Sequence, residues 1–119
     1  DERIASALGA VAHVVLLAAK YFDLSLRYPI MALGSGSYVR DPAALTTAGG
    51  MYPLFKMPNV NTRTALERLS RAVVYLERDT EQLLRTVGCP YDKRTGLLGN
   101  LYFFFNSQLQ PTDMGDLAL

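Results

Sequence analysis

The sequence predicts an α+β fold, a small antiparallel three-stranded β-sheet packed against two to three α-helices. Residues 1–22 and 62–87 carry helical patterns, and three short strand-like runs lie between them within residues 24–55. Turns rather than helices separate those runs, so neighbouring strands are expected to pair antiparallel. All of this fits within a single domain over residues 1–119, with no internal repeat and no low-complexity tract.

The first helix is Ala-rich and carries Leu8, Leu16 and Leu17, with Gly9 as a mild penalty. It is apolar nearly all round, which predicts cover on most sides. Its continuous apolar run, residues 5–19, would reach about 22 Å as a helix, short of a hydrocarbon core of roughly 30 Å. His13 also interrupts the run. The expectation is a core helix, with Asp23 ending it.

In residues 24–31, Leu24, Leu26, Tyr28 and Ile30 alternate with Ser25, Arg27, Pro29 and Met31, the period of a strand. Pro29 cannot donate to a ladder and belongs at an edge. Gly34-Ser35-Gly36 supplies a tight turn, and residues 37–40 return as a second strand. Residues 41–50 read as a surface loop, Met51-Tyr52-Pro53-Leu54-Phe55 as a third strand, and the segment with Pro58 and Asn59 as a connector.

The helix at 62–87 has the clearest pattern. Leu66, Leu69, Val73, Leu76, Leu83, Leu84 and Val87 recur at helical spacing. Arg63, Glu67, Arg71, Arg78, Glu81 and Arg85 fall largely on the other side. Glu67–Arg71 and Glu81–Arg85 have the i,i+4 spacing of ion pairs. Asn61 or Thr62 caps the start, and Gly88 with Pro90 stops the helix. A last helix at 95–108 carries Tyr102-Phe103-Phe104-Phe105, and residues 109–119 form a tail.

Twelve basic residues stand against 11 acidic, a formal net charge of +1, which argues against a dedicated nucleic-acid binder. One cysteine, Cys89, excludes an internal disulfide and points to a cytoplasmic protein. The chain opens on Asp1 rather than Met, as an excised segment of a longer protein does.

Nothing in the sequence assembles a reaction centre, and no cofactor, metal or small-molecule substrate is implied. His13 and Cys89 are too few for a zinc site, and neither CxxC nor HxxxH spacing occurs. His13, inside the most apolar helix, reads as a buried core histidine, and Cys89 as an inert thiol. Gly34-Ser35-Gly36-Ser37 leads into a strand rather than a helix N-terminus, so it is a hairpin turn and not a phosphate loop.

Binding is the better-supported class. Four consecutive large aromatics, Tyr102, Phe103, Phe104 and Phe105, span more than one helix face, so either they complete the core or some face a partner or membrane. Arg27, Arg40 and Lys56 lie on or near the strands. Gathered by sheet twist, they would face anionic lipid headgroups at about 1 kcal/mol each; the alternative, which the pattern favours, is a merely solvated sheet face. Met57 and Val60 offer a second apolar tip beside Lys56.

The ordered set of segments resembles the UV-radiation-resistance-associated protein family. The segments are Ala12-His13-Val14-Val15 in an apolar helix, Leu26-Arg27-Tyr28-Pro29-Ile30, and Gly34-Ser35-Gly36-Ser37-Tyr38. Tyr52-Pro53-Leu54-Phe55, the pair Gln82-Leu83 with Gly88, and the segment from Asp92 to Asn100-Leu101 complete it. The resemblance covers about residues 5–105, and more distantly the helix, strand and turn are similar to the β–α repeated autophagy-specific domain of Beclin.

It implies a non-catalytic regulatory subunit of a class III phosphatidylinositol 3-kinase complex, acting in autophagy and endosomal trafficking. Such a subunit docks beside Beclin, helps the complex meet endosomal membrane, and leaves catalysis to a separate chain. Beclin's domain carries an aromatic finger after the Pro-Leu-aromatic strand. Here that position reads Lys56-Met57-Pro58-Asn59-Val60, without aromatics, so the finger is not carried over. The alternative reading is a peripheral membrane-contact module that inserts aromatic or apolar side chains into anionic membranes.

Overall fold

A computed structural model describes residues 2–43, 50–58 and 60–108. The expected loop at 41–50 falls mostly outside these residues, as do Asn59 of the connector and the tail at 109–119. The chain forms helix α1 (Glu2–Tyr21), strand β1 (Ile30–Met31), a 3-10 turn (Gly34–Gly36), β2 (Tyr38–Arg40) and β3 (Met51–Pro53), then α2 (Thr62–Thr86) and α3 (Gly96–Gln108). The sheet is antiparallel with strand order β1-β2-β3, so the α+β class expected from the sequence is the class observed.

Ile30 pairs with Val39 and Val39 with Tyr52, a cross-strand row buried on one face of the sheet. Leu54, just past β3, is fully buried beside them. The intervening Met31 and Arg40 face outward. One face therefore meets the helices and the other is open, the usual division in a small antiparallel sheet.

The expected strand at 24–31 pairs only at its end. The Arg27 N–H donates to Gln82 Oε1 at 2.9 Å, and the Tyr28 N–H donates to Asp79 Oδ1 at 3.0 Å. Gln82 Nε2 in turn donates to the Ser25 carbonyl at 3.0 Å. Side chains of α2 thus occupy backbone groups that a ladder would use, so the segment stays extended without joining the sheet. Pro29 still contributes, its carbonyl accepting from Arg40 N at 2.9 Å.

On α1, Ala5, Gly9, Ala12, Val15, Ala18 and Ala19 form a buried stripe of small residues. The sequence predicts cover on most sides of this helix, but Ile4, Ser6, Ala7, Ala10 and His13 are exposed, and Leu8, Val11, Leu16 and Leu17 are only half-buried. Small side chains let one face approach closely, while exposed alanine costs little. By length and composition alone α1 is apolar enough to cross a bilayer. In this fold it packs on α2, the sheet and the 3-10 turn.

Helix α2 is capped by Asn61, whose side chain accepts from Thr64 N at 2.8 Å. It closes with Gly88 at φ +75° and a Cys89 N–H to Leu84 carbonyl bond of 2.8 Å, the left-handed stop that glycine permits. Its buried stripe includes Ala65, Ala72, Leu76, Leu83 and Leu84. Leu66, expected on that stripe, is 51% exposed because it lies toward the charged side. Glu81 pairs with Arg85 as expected, but Glu67 pairs with Arg63 rather than Arg71, at 3.4 Å.

The core has two adjoining parts. One joins Ala12 and Val15 of α1, Ala72 and Leu76 of α2, Leu101 of α3 and the sheet row. The other joins Ala18, Leu83, Leu84, Cys89 and Phe104. Asn100 pins the turn before α3 by donating to the carbonyls of Asp92 and Gly96 while accepting from Asp92 N.

Candidate functional site

The aromatic run on α3 divides by face. Phe104 is fully buried against Ala18, Leu83 and Leu84, and its ring stands edge-on to Phe22 and Phe105. Phe104 is thus a core residue and not a contact residue, correcting one of the two roles the sequence allowed it. Phe105 is half-buried. Tyr102 and Phe103 are 72% and 52% exposed, and Leu98, one turn before Tyr102, is 66% exposed. These three form an apolar surface with no cover among the described residues.

The basic residues Arg27, Arg40 and Lys56 do not gather. Arg27 lies beside α2 with its guanidinium 5.4 Å from the centre of the Tyr28 ring. Arg40 ends β2 on the outer face of the sheet, and Lys56 borders a shallow hollow with Glu2, Ser35 and Phe55. Met57 is half-buried and Val60 40% exposed.

His13 is solvent-exposed, not a core histidine: it falls on the outer side of α1, next to Ala12 of the buried stripe. Cys89 is buried, with only long contacts to Pro90 O at 3.8 Å and Ser107 Oγ at 3.9 Å. No group of three or more metal-capable His, Cys, Asp or Glu side chains occurs among the described residues.

The most developed concave surface runs along the charged side of α2. Two neighbouring hollows of about 720 and 640 Å3 share Tyr28 and Arg78 in their linings and together make a groove along α2. Arg63, Arg71, Arg78 and Arg85 supply its α2 wall, with Arg27 and Lys93 contributing from elsewhere. These positions recur at steps of seven or eight residues along α2, about two helical turns each, which puts them on one ridge. Tyr28 and Tyr75 stack in the groove with ring centres 4.3 Å apart and an interplanar angle of 17°.

Tyr75 donates its phenol proton to Asp41 Oδ2 at 2.9 Å, and burial raises its pKa above the usual phenol value despite the neighbouring Arg71. The Arg71 guanidinium is raised too, chiefly by its hydrogen bond with Tyr75. Arg68 reaches the other way, donating to the Met51 carbonyl and lying 4.6 Å from the centre of the Tyr52 ring, so it ties β3 to α2.

Beneath the groove lies Asp79, fully buried, with Oδ1 accepting from Tyr28 N and Oδ2 unpartnered. Burial lifts its carboxyl to about 7, with the Tyr28 N–H acting in the opposite sense. A pattern in the sequence could have found it. Asp79 stands three residues after Leu76 and four before Leu83, inside the apolar stripe of α2.

No family model matches this sequence, and no solved structure matches it. Over 97 residues, 82% of the chain, it is 29% identical to the vacuolar protein sorting-associated protein 38 of Schizosaccharomyces pombe. The chain spans about a fifth of that relative, 19% of its length, and so is similar to one part of a vacuolar-sorting protein.

Proposed function

We infer that this chain is a non-catalytic regulatory domain of a class III phosphatidylinositol 3-kinase complex subunit, acting in vacuolar and endosomal sorting and in autophagy. The observation that carries the reading is the similarity to a vacuolar-sorting protein across 82% of the chain. The ordered set of segments resembling the UV-radiation-resistance-associated family agrees with that similarity. On this reading the domain docks beside Beclin, works from the cytoplasm on endosomal and autophagic membranes, and takes no cofactor.

Co-purification of the full-length parent with Beclin and the lipid kinase tests it. The parent retains both partners, and removal of this domain lowers recovery or membrane recruitment of the complex. A parent that purifies without the kinase overturns the reading.

A second reading rests on Leu98, Tyr102 and Phe103, exposed together on α3: a peripheral membrane contact inserting apolar side chains. Liposome flotation separates the two. Binding to anionic vesicles that is lost in Tyr102→Ser/Phe103→Ser supports membrane contact, and no flotation of the unaltered chain rejects it.

A further inference from the structure

The charge of this chain is unevenly placed. Its formal net is only +1, yet half of its 12 basic residues line the groove along α2: Arg27, Arg63, Arg71, Arg78, Arg85 and Lys93. Three acidic residues share that lining, and each already has a partner. Glu67 pairs with Arg63, Glu81 with Arg85, and Asp41 accepts the Tyr75 hydroxyl. Arg71, Arg78 and Lys93 have no ion pair among the described residues, and all three are exposed. Leu66 and Val74 add exposed apolar surface to the same wall.

We propose that this groove binds an extended acidic segment of a partner polypeptide, with Arg71 and Arg78 as its central charge contacts. Complementarity of charge selects an acidic occupant, and the shape selects a chain. The surface is a pair of neighbouring concave hollows along α2 with the stacked Tyr28 and Tyr75 in the lining of the first, which a strand-like peptide can enter and a flat bilayer cannot.

The spacing on α2 sets a pattern for the ligand. Arg71 and Arg78 are seven positions apart, about 10 Å along the helix at 1.5 Å per residue. An extended peptide covers that distance in about three residues at roughly 3.3 Å each. Successive side chains of an extended chain alternate between faces, so two acidic side chains separated by three others, about 13 Å apart, are the nearest same-face pair that spans both arginines, with a neighbouring apolar residue against Leu66 and Val74. Arginine forks recognise carboxylates in paired geometry, which makes them the anchors rather than Lys93.

The test is titration of the whole chain with a synthetic peptide carrying glutamates at that spacing and a terminal leucine, followed by amide NMR shifts and fluorescence anisotropy. A peptide of the same length with lysine for glutamate is the control. Shifts confined to α2 and residues 27–28, with affinity falling as salt rises, support the proposal. Arg78→Glu, at an exposed position, is expected to weaken binding by about tenfold or more, whereas Lys20→Glu on α1 leaves it within about twofold.

Equal loss in both variants, shifts that map to α3, or equal binding of the lysine peptide overturns it. So does Arg78-dependent binding to phosphatidylserine vesicles without peptide binding, which assigns the groove to membrane. The kinase-complex reading stands or falls separately, because its own test is co-purification of the parent.

Discussion

Gly9 is the position where the local preference of the chain and its packing pull in opposite directions. In a helix interior, glycine to alanine normally stabilises by roughly 0.5–1 kcal/mol, since alanine has less backbone freedom to lose. Here a Cβ on residue 9 would stand 2.0 Å from the Gly34 carbonyl oxygen and 2.8 Å from its carbon. Both atoms are backbone, and Gly34 holds φ +61° in a turn closed by Ser37, whose hydroxyl donates to the Gly34 carbonyl and accepts from Leu33 N. The turn cannot rotate away without breaking those bonds, so α1 must lift from it and loosen Ala5 and Ala12. Overpacking of this kind costs about 1–3 kcal/mol and sometimes more. With the propensity gain subtracted, Gly9→Ala is expected to destabilise by about 1–2 kcal/mol, or about 4–8 °C in Tm for a domain of this size. Urea unfolding followed by circular dichroism measures it directly. Gly36→Ala in the same turn is the control, because a Cβ there would meet nothing within 4 Å and its φ is not positive. That variant is expected to change stability by less than about 0.5 kcal/mol. A neutral or stabilising Gly9→Ala refutes the close approach of α1 to the turn.

Leu76→Ala, at a fully buried site, is expected to cost about 2–5 kcal/mol, whereas Leu66→Ala, half exposed, should cost under about 1 kcal/mol; equal losses in urea unfolding would misplace the inner face of α2. Phe104→Ala is expected to cost about 3–5 kcal/mol, while Tyr102→Ala leaves the unfolding midpoint nearly unchanged, so a reversed order would overturn the facing of α3. Asp79 makes stability depend on pH in a definite direction. Its folded pKa of about 7 lies above the unfolded 3.8, so between these values the folded chain keeps a proton that the unfolded chain has lost. The stability this group allows is greatest below about pH 4, falls through pH 7 and is flat above, by up to about 4 kcal/mol in all. Asp79→Asn removes that slope, and urea melts at pH 5 and 8 that show the same difference in both proteins would contradict it.

What the sequence makes legible here is periodicity, and what it hides is the identity of distant partners. The alternation Leu24, Leu26, Tyr28, Ile30 correctly places Tyr28 and Ile30 in the core and Ser25, Arg27 and Met31 outside. A period of two reports an extended backbone with one buried face, but not what its amides bond to. In this chain much of that role passes to Gln82 and Asp79, more than fifty residues away. Gly9 shows the same division: composition marks it as a weak spot in a helix, and only the position of Gly34 makes it indispensable. For the aromatic run, four successive residues at 100° each cover most of a helix circumference, so the core could not take them all. Which one it takes depends on how α3 lies across α2, and no local signal encodes that angle. The groove follows the same logic. The arginines of α2 are readable as an outer face, but a ridge of charge becomes a channel only when another wall stands beside it. Here that wall is the segment at Arg27 and Tyr28, held by Asp79 and Gln82 from the same helix that carries the arginines. The buried carboxylate and the basic groove are therefore parts of one arrangement: loss of the Asp79 bond would release the wall and flatten the site that Arg71 and Arg78 line.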